Sequence, residues 1–164
     1  MNSRSILRGL LIVLLATMAF GADAADKTKN VFVAGEQSHG WGSHEHKARC
    51  MLLADRLNRN MPNVEGVVVT EGWPEDNAIF EDAAAVVIYC TGYTGHLLKP
   101  RLEYFDALAK KGVGLVTIHW ATEVEKGKIG EKFLEWQGGF CDINWSVNPH
   151  WNADYATLPD HPIT

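Results

Sequence analysis

The stretch "NVFVAGEQSHGWGSHEHKARCMLLADRLNRN" (residues 30–60) holds three successive patterns. "NVFVAG" (30–35) is continuously apolar and rich in β-branched residues, as expected of a parallel strand covered on both faces. "HKARCMLLADRLNRN" (46–60) sets apolar residues at helical spacing among charged ones, which predicts an amphipathic helix. Three histidines and three glycines lie within residues 35–46, between and at the joins of these two segments. A strand that passes into a helix in this way is one β–α unit. In an open parallel sheet the loop at the carboxyl end of such a strand is where ligands bind.

The same alternation extends outward. "VEGVVVT" (64–70), "AAAVVIYC" (83–90) and "GVGLVTIHW" (112–120) read as strands two to four. "LKPRLEYFDALAKKG" (98–112) carries Leu102, Phe105 and Leu108 on one face, with Lys110, Lys111 and Gly112 as stop signals. "GWPEDNAIFEDAA" (72–84) reads as a short irregular crossover. The order predicts an α/β fold, a flavodoxin-like three-layer sandwich with a mostly parallel sheet. Beyond Trp120, "VEKGKIGEKFLEWQGG" (124–139) predicts a helix ended by Gly138 and Gly139. "FCDINWSVNPHWNADYATLPDHPIT" (140–164) predicts an ordered excursion rich in Trp, Asn and Pro, and the sheet is expected to be completed beyond Thr164.

Residues 1–24 read as a secretory signal: Arg4 and Arg8, an apolar core, then Ala22-Asp23-Ala24. The apolar run is short for a bilayer span, so no retained membrane anchor is expected, and the mature chain is expected to be exported to the periplasm or beyond. Of 15 basic and 20 acidic residues, the leader removes Arg4, Arg8 and Asp23, leaving a net charge of −6. Without a basic stripe, nucleic acid is excluded as an expected partner. Cys50, Cys90 and Cys141 are too widely spaced for a zinc motif, although one disulfide would fit an oxidising compartment.

His39, His44 and His46 follow strand one, His96 follows strand three, and His119 is expected as the last residue of strand four. Five of the seven histidines thus fall at one edge of the predicted sheet. Residues two apart on a helix diverge by about 200°, so His44 and His46 are not expected to face one ligand together, and Ser43 is the expected N-cap. Imidazoles there serve as general acids and bases, with His119, His44 and His46 as catalytic candidates. A divalent transition metal is the alternative, held by His39, His44 or His46, His119 and Glu45 or Glu123, although no HExxH spacing is present. No G-x-S-x-G elbow, P-loop or dinucleotide turn occurs, so no nicotinamide cofactor is expected. Cys90 reads as a small buried hydrophobe.

Tryptophans beside amides and carboxylates suit the faces and hydroxyl rims of sugars. His39, Trp41, Trp73, His96, Trp120, Glu123 and His150 are accordingly the substrate-binding candidates, and Trp136 is assigned to packing.

"VFVAGEQSHGWGSHEHKARCMLLADRL", "GWPED", "GVGLVTIHWATE", "WQGGF", "NPHW" and "LPDHPI", taken in order, resemble the ThuA-like (trehalose-utilization) family over residues 30–164. The resemblance implies a class I glutamine amidotransferase-like domain linked to disaccharide or keto-sugar breakdown. The family's histidine loop matches His39, His44 and His46, and its histidine after the fourth strand matches His119. A cysteine normally occupies that elbow in amidotransferases, so amidotransfer is not expected here. Family members usually continue past "HPI", and Arg49 and Cys50 stand where a small residue is common. The expectation is an exported hydrolase, lyase or isomerase acting on a sugar or keto-sugar. A carbohydrate-binding module, fused or partnered to a glycoside-processing domain, and a metal-dependent hydrolase are the alternatives.

Overall fold

In the computed structural model, residues 27–147 and 150–160 are described. The expected signal segment, residues 1–24, and His161 lie outside them.

Four strands form an all-parallel sheet in the order β2-β1-β3-β4: β1 (Thr28–Ala34), β2 (Val64–Val69), β3 (Ala83–Tyr89) and β4 (Gly114–Thr117). The three α-helices are α1 (His46–Asn60), α2 (Leu102–Lys110) and α3 (Lys128–Gln137). Val31, Val33, Val86 and Ile88 point to the side covered by α2 and α3, where Phe105, Leu108 and Phe133 pack on them. Phe32, Ala34, Val87 and Tyr89 point to the α1 side, with Cys50 and Ala54. The result is the expected three-layer, flavodoxin-like α/β sandwich. The fully buried Phe105 and Phe133 each contribute about 2–3 kcal/mol by removal from water.

Helix α1 buries only a narrow line, His46, Cys50 and Ala54, because a spacing of four returns to one face. Its far end is fixed to the edge strand by Asn58, whose amide accepts from Gly66 N–H (2.6 Å) and donates to Gly66 C=O (3.1 Å). This pairing occupies backbone groups that an edge strand would otherwise expose. Helices α2 and α3 are joined by Asp106, which accepts from Lys132 Nζ (2.9 Å) and Trp136 Nε1 (3.2 Å). Hydrogen bonds from Lys110 foremost, then Lys132 and Trp136, hold its carboxyl well below the usual carboxylate range.

Several boundaries depart from the sequence reading. The helix expected over 98–112 is divided into a 3-10 turn, Lys99–Arg101, and then α2, because Pro100 has no N–H to give to an α-helical ladder. The helix expected from 124 starts at Lys128. Glu123 instead pairs in a parallel bridge with Cys141, and Val124 donates its N–H to Cys141 C=O (3.0 Å). Strand four ends at Thr117, so His119 begins a 3-10 turn, His119–Thr122, rather than closing the strand. Coverage on both faces holds for the central β1 and β3 but not for edge strand β4, whose Val116 is 47% exposed. Among the described residues, no helix is long and apolar enough to cross a membrane.

Candidate functional site

The sheet order places β1 and β3 side by side at its centre, with β2 and β4 outside them. The chain leaves β1 for one edge and returns to β3 on the other side, so a crevice opens between the loops at their carboxyl ends. The close fit there begins at Gly35. A Cβ at this position would lie 2.6 Å from Cys90 Cβ, so only glycine lets the two loops part at this point.

Three imidazoles meet at that crevice. The ring centroids of His39 and His44 are 4.1 Å apart, and those of His44 and His119 are 4.8 Å apart. Trp120 closes one side, with its ring 5.4 Å from both His39 and His44. The backbone is arranged to present these rings. His44 (φ 46°) and His119 (φ 55°) both occupy the left-handed region, which costs a non-glycine residue about 1 kcal/mol or more. Thr122 Oγ1 fastens the second elbow by donating to His119 C=O (2.7 Å).

His44 lies before α1 rather than on it, and this overturns the expected divergence of His44 and His46. Their rings are 6.2 Å apart and tilted by only 38°. Nor is Ser43 the N-cap: Glu45 holds that position, and its carboxylate accepts from Gly42 N–H (2.7 Å), tightening the loop instead. His46 is only 2% exposed, and its Nδ1 is 2.8 Å from the C=O of Glu36. Burial first, then the neighbouring His39, His119 and His46 rings and Arg49, lower the pKa of His44 below the ordinary 6.5. The arrangement therefore keeps a neutral imidazole between two other imidazoles, as a general base requires.

The other candidates are placed more variously. Glu123 lies on the turn after His119, with Oε1 accepting from Ser146 Oγ (2.6 Å) and Oε2 buried without a partner among the described residues. His96 reaches the carboxyl edge but is walled off from the crevice. It is 2% exposed, its Nε2 bonds Ala121 C=O (3.0 Å), and its Nδ1 accepts from Leu98 N–H (3.1 Å). With both nitrogens engaged and Phe133 against its ring, it braces the β3 loop and has no free group for a substrate. Trp73 packs on Phe80 and lies under the Arg101 guanidinium, on the α2 side, away from the imidazoles. Trp41 is 95% exposed at the tip of the histidine loop, and His150 is exposed in the C-terminal excursion.

Cys90, just after β3, is a buried thiol whose pKa burial pushes up to about 12, and burial likewise raises Cys50 to about 11. Neither is a nucleophile at neutral pH, and all three cysteines are free. Sequence reasoning missed Tyr89. As a wholly buried strand terminus it looked like core, yet its ring stands 4.6 Å from that of His46 and 6.1 Å from that of His119. An aromatic hydroxyl at the carboxyl end of a central strand was the available signal.

Among the described residues, no group of three or more His, Cys, Asp or Glu side chains is disposed to hold a metal ion. Compared with known proteins, the chain matches no family model, no curated protein and no solved structure.

Proposed function

We propose that this chain is a ThuA-like, exported protein of disaccharide or keto-glycoside breakdown, in which His44 and His119 act as base and acid. The observation that carries the reading is the packing of His44 between His39 and His119, with Trp120 against His39 and His44, and with His44 held neutral by its surroundings. A sugar with a ring carbonyl has an acidic C–H beside it. His44 would take that proton, and the electron pair of the C–H bond would become the enolate. For isomerisation, His119 would deliver a proton to the former carbonyl carbon, while the proton of the neighbouring hydroxyl passes to the former carbonyl oxygen and the new carbonyl forms. For elimination, it would deliver the proton to a glycosidic oxygen β to the carbonyl as its C–O bond breaks. Trp120 offers the apolar face on which a pyranose ring stacks.

Three clustered imidazoles also favour a metal-dependent hydrolase as a second reading. In the present packing, however, the donors among the described residues do not form a metal shell. The test is turnover of disaccharides and their keto forms by purified protein, beside elemental analysis. Alanine at His119 or at His44 is expected to lower kcat by about 100-fold or more with folding intact. Undiminished turnover in either variant would refute the acid–base pair. A stoichiometric transition metal in wild type that is lost in His119→Ala would replace it with the metal reading.

A further inference from the structure

Beneath the three imidazoles lie two polar atoms that the fold buries without satisfying. Tyr89 is 0% exposed, and its hydroxyl has no hydrogen-bond partner among the described residues. His46 is 2% exposed, and its Nε2 is likewise unpartnered. The two rings are in edge contact, 4.6 Å apart at 67°. An unmatched buried polar group costs about 1–3 kcal/mol, so two side by side are a local expense in stability that packing alone does not explain.

Their chemistry is complementary in a particular way. The Nδ1 of His46 lies 2.8 Å from Glu36 C=O, so the proton of the neutral ring belongs on Nδ1 and Nε2 carries a lone pair. Tyr89 has a proton to give. A ligand group that accepts from the phenol and donates to Nε2 satisfies both at once, and an alcohol hydroxyl is the simplest group that does so. The Arg49 guanidinium lies 5.9 Å from the Tyr89 ring, and its five donors remain able to order a neighbouring ligand oxygen. The same Tyr89 ring stands 6.1 Å from that of His119, so both atoms lie against the imidazole cluster, closed to solvent until those rings part.

We infer that Tyr89 Oη and His46 Nε2 form a hydroxyl-binding subsite under the His44–His119 pair, selecting substrates that carry an alcohol group close to the reacting carbon. The inference rests on the carbohydrate reading above and deepens it. Tyr89 and His46 bind the hydroxyl, while His44 and His119 move protons. A site built to bond a hydroxyl rejects the analogue that lacks it, because its buried partners are then left bare.

Calorimetric titration of wild type and Tyr89→Phe with trehalose, maltose and sucrose tests this, followed by monodeoxy forms of whichever sugar binds. Tyr89→Phe should weaken the binding of that sugar about tenfold, with an unchanged or higher melting temperature, since an unmatched hydroxyl has been removed. One monodeoxy analogue should bind wild type about as weakly, and the variant should not distinguish it from the parent sugar. That non-additivity separates a direct contact from a structural role. Equal sugar affinity in wild type and variant would overturn the subsite and leave the carbohydrate reading standing. If wild type binds none of the three sugars, either as such or in their keto forms, the carbohydrate reading itself falls and the subsite falls with it.

Discussion

Protonating His96 would break the pairing of its ring with Leu98 N–H inside a packed cluster, and burial lowers its pKa from 6.5 to about 4. The folded protein therefore takes up this proton less readily than the unfolded chain does. The stability is fully present above pH 6.5, declines as pH falls towards 4, and the loss is complete below that. The full difference is about 3 kcal/mol. Urea unfolding of wild type and His96→Gln at pH 7 and pH 4.5 should show a steeper acid loss in wild type; parallel losses would contradict the assignment. Residue by residue, the sequence was legible where chemistry and position agreed. His39, His44 and His119 were expected at one edge and do meet there. It was illegible where burial decides the role, since nothing in "TGHLLK" separates a bracing histidine from a binding one. Trp73 stands apart from the imidazoles for a related reason: an aromatic beside a loop can lean onto a neighbouring apolar cluster, as this one does onto Phe80.

At the scale of elements, the limits of α1 were readable to the residue, and the consequence for its histidines was not. Helical geometry does not reach His44: the helix begins at His46, and the left-handed backbone of His44 swings its ring back over the crevice. Backbone conformation in a loop is set by particular side-chain bonds such as that from Gly42 N–H to Glu45, which no periodicity encodes. The element makes its own prediction. Because neighbouring imidazoles help to keep His44 neutral, the acid limb of kcat/KM should have its midpoint below pH 6.5 and should move upward in His39→Ala, where one like charge is gone. A pH profile of the variant that superimposes on wild type would remove His39 from this role.

For the whole molecule, the parallel topology was legible from four apolar runs separated by amphipathic segments, because strands buried on both faces cannot alternate in polarity. The incomplete cover of β4 was not, since "GVGLVTIHW" is as apolar as a central strand and lateral order is not written in local pattern. Central position makes β1 and β3 the most protected part of the sheet. Hydrogen exchange should be slowest at Val31, Val33, Val86 and Ile88 and faster through β4; protection of β4 equal to that of β3 would contradict this order. One feature of the carboxyl edge bears on how such a protein changes over generations. His44, Glu71, Tyr93 and His119, one after each strand in turn, all hold left-handed backbone that glycine would adopt without strain. At the two histidines, the residue that best serves the chemistry is thus not the one that best serves the fold. A population selected only for endurance to heat would tend to replace them, and would become hardier as it became inert.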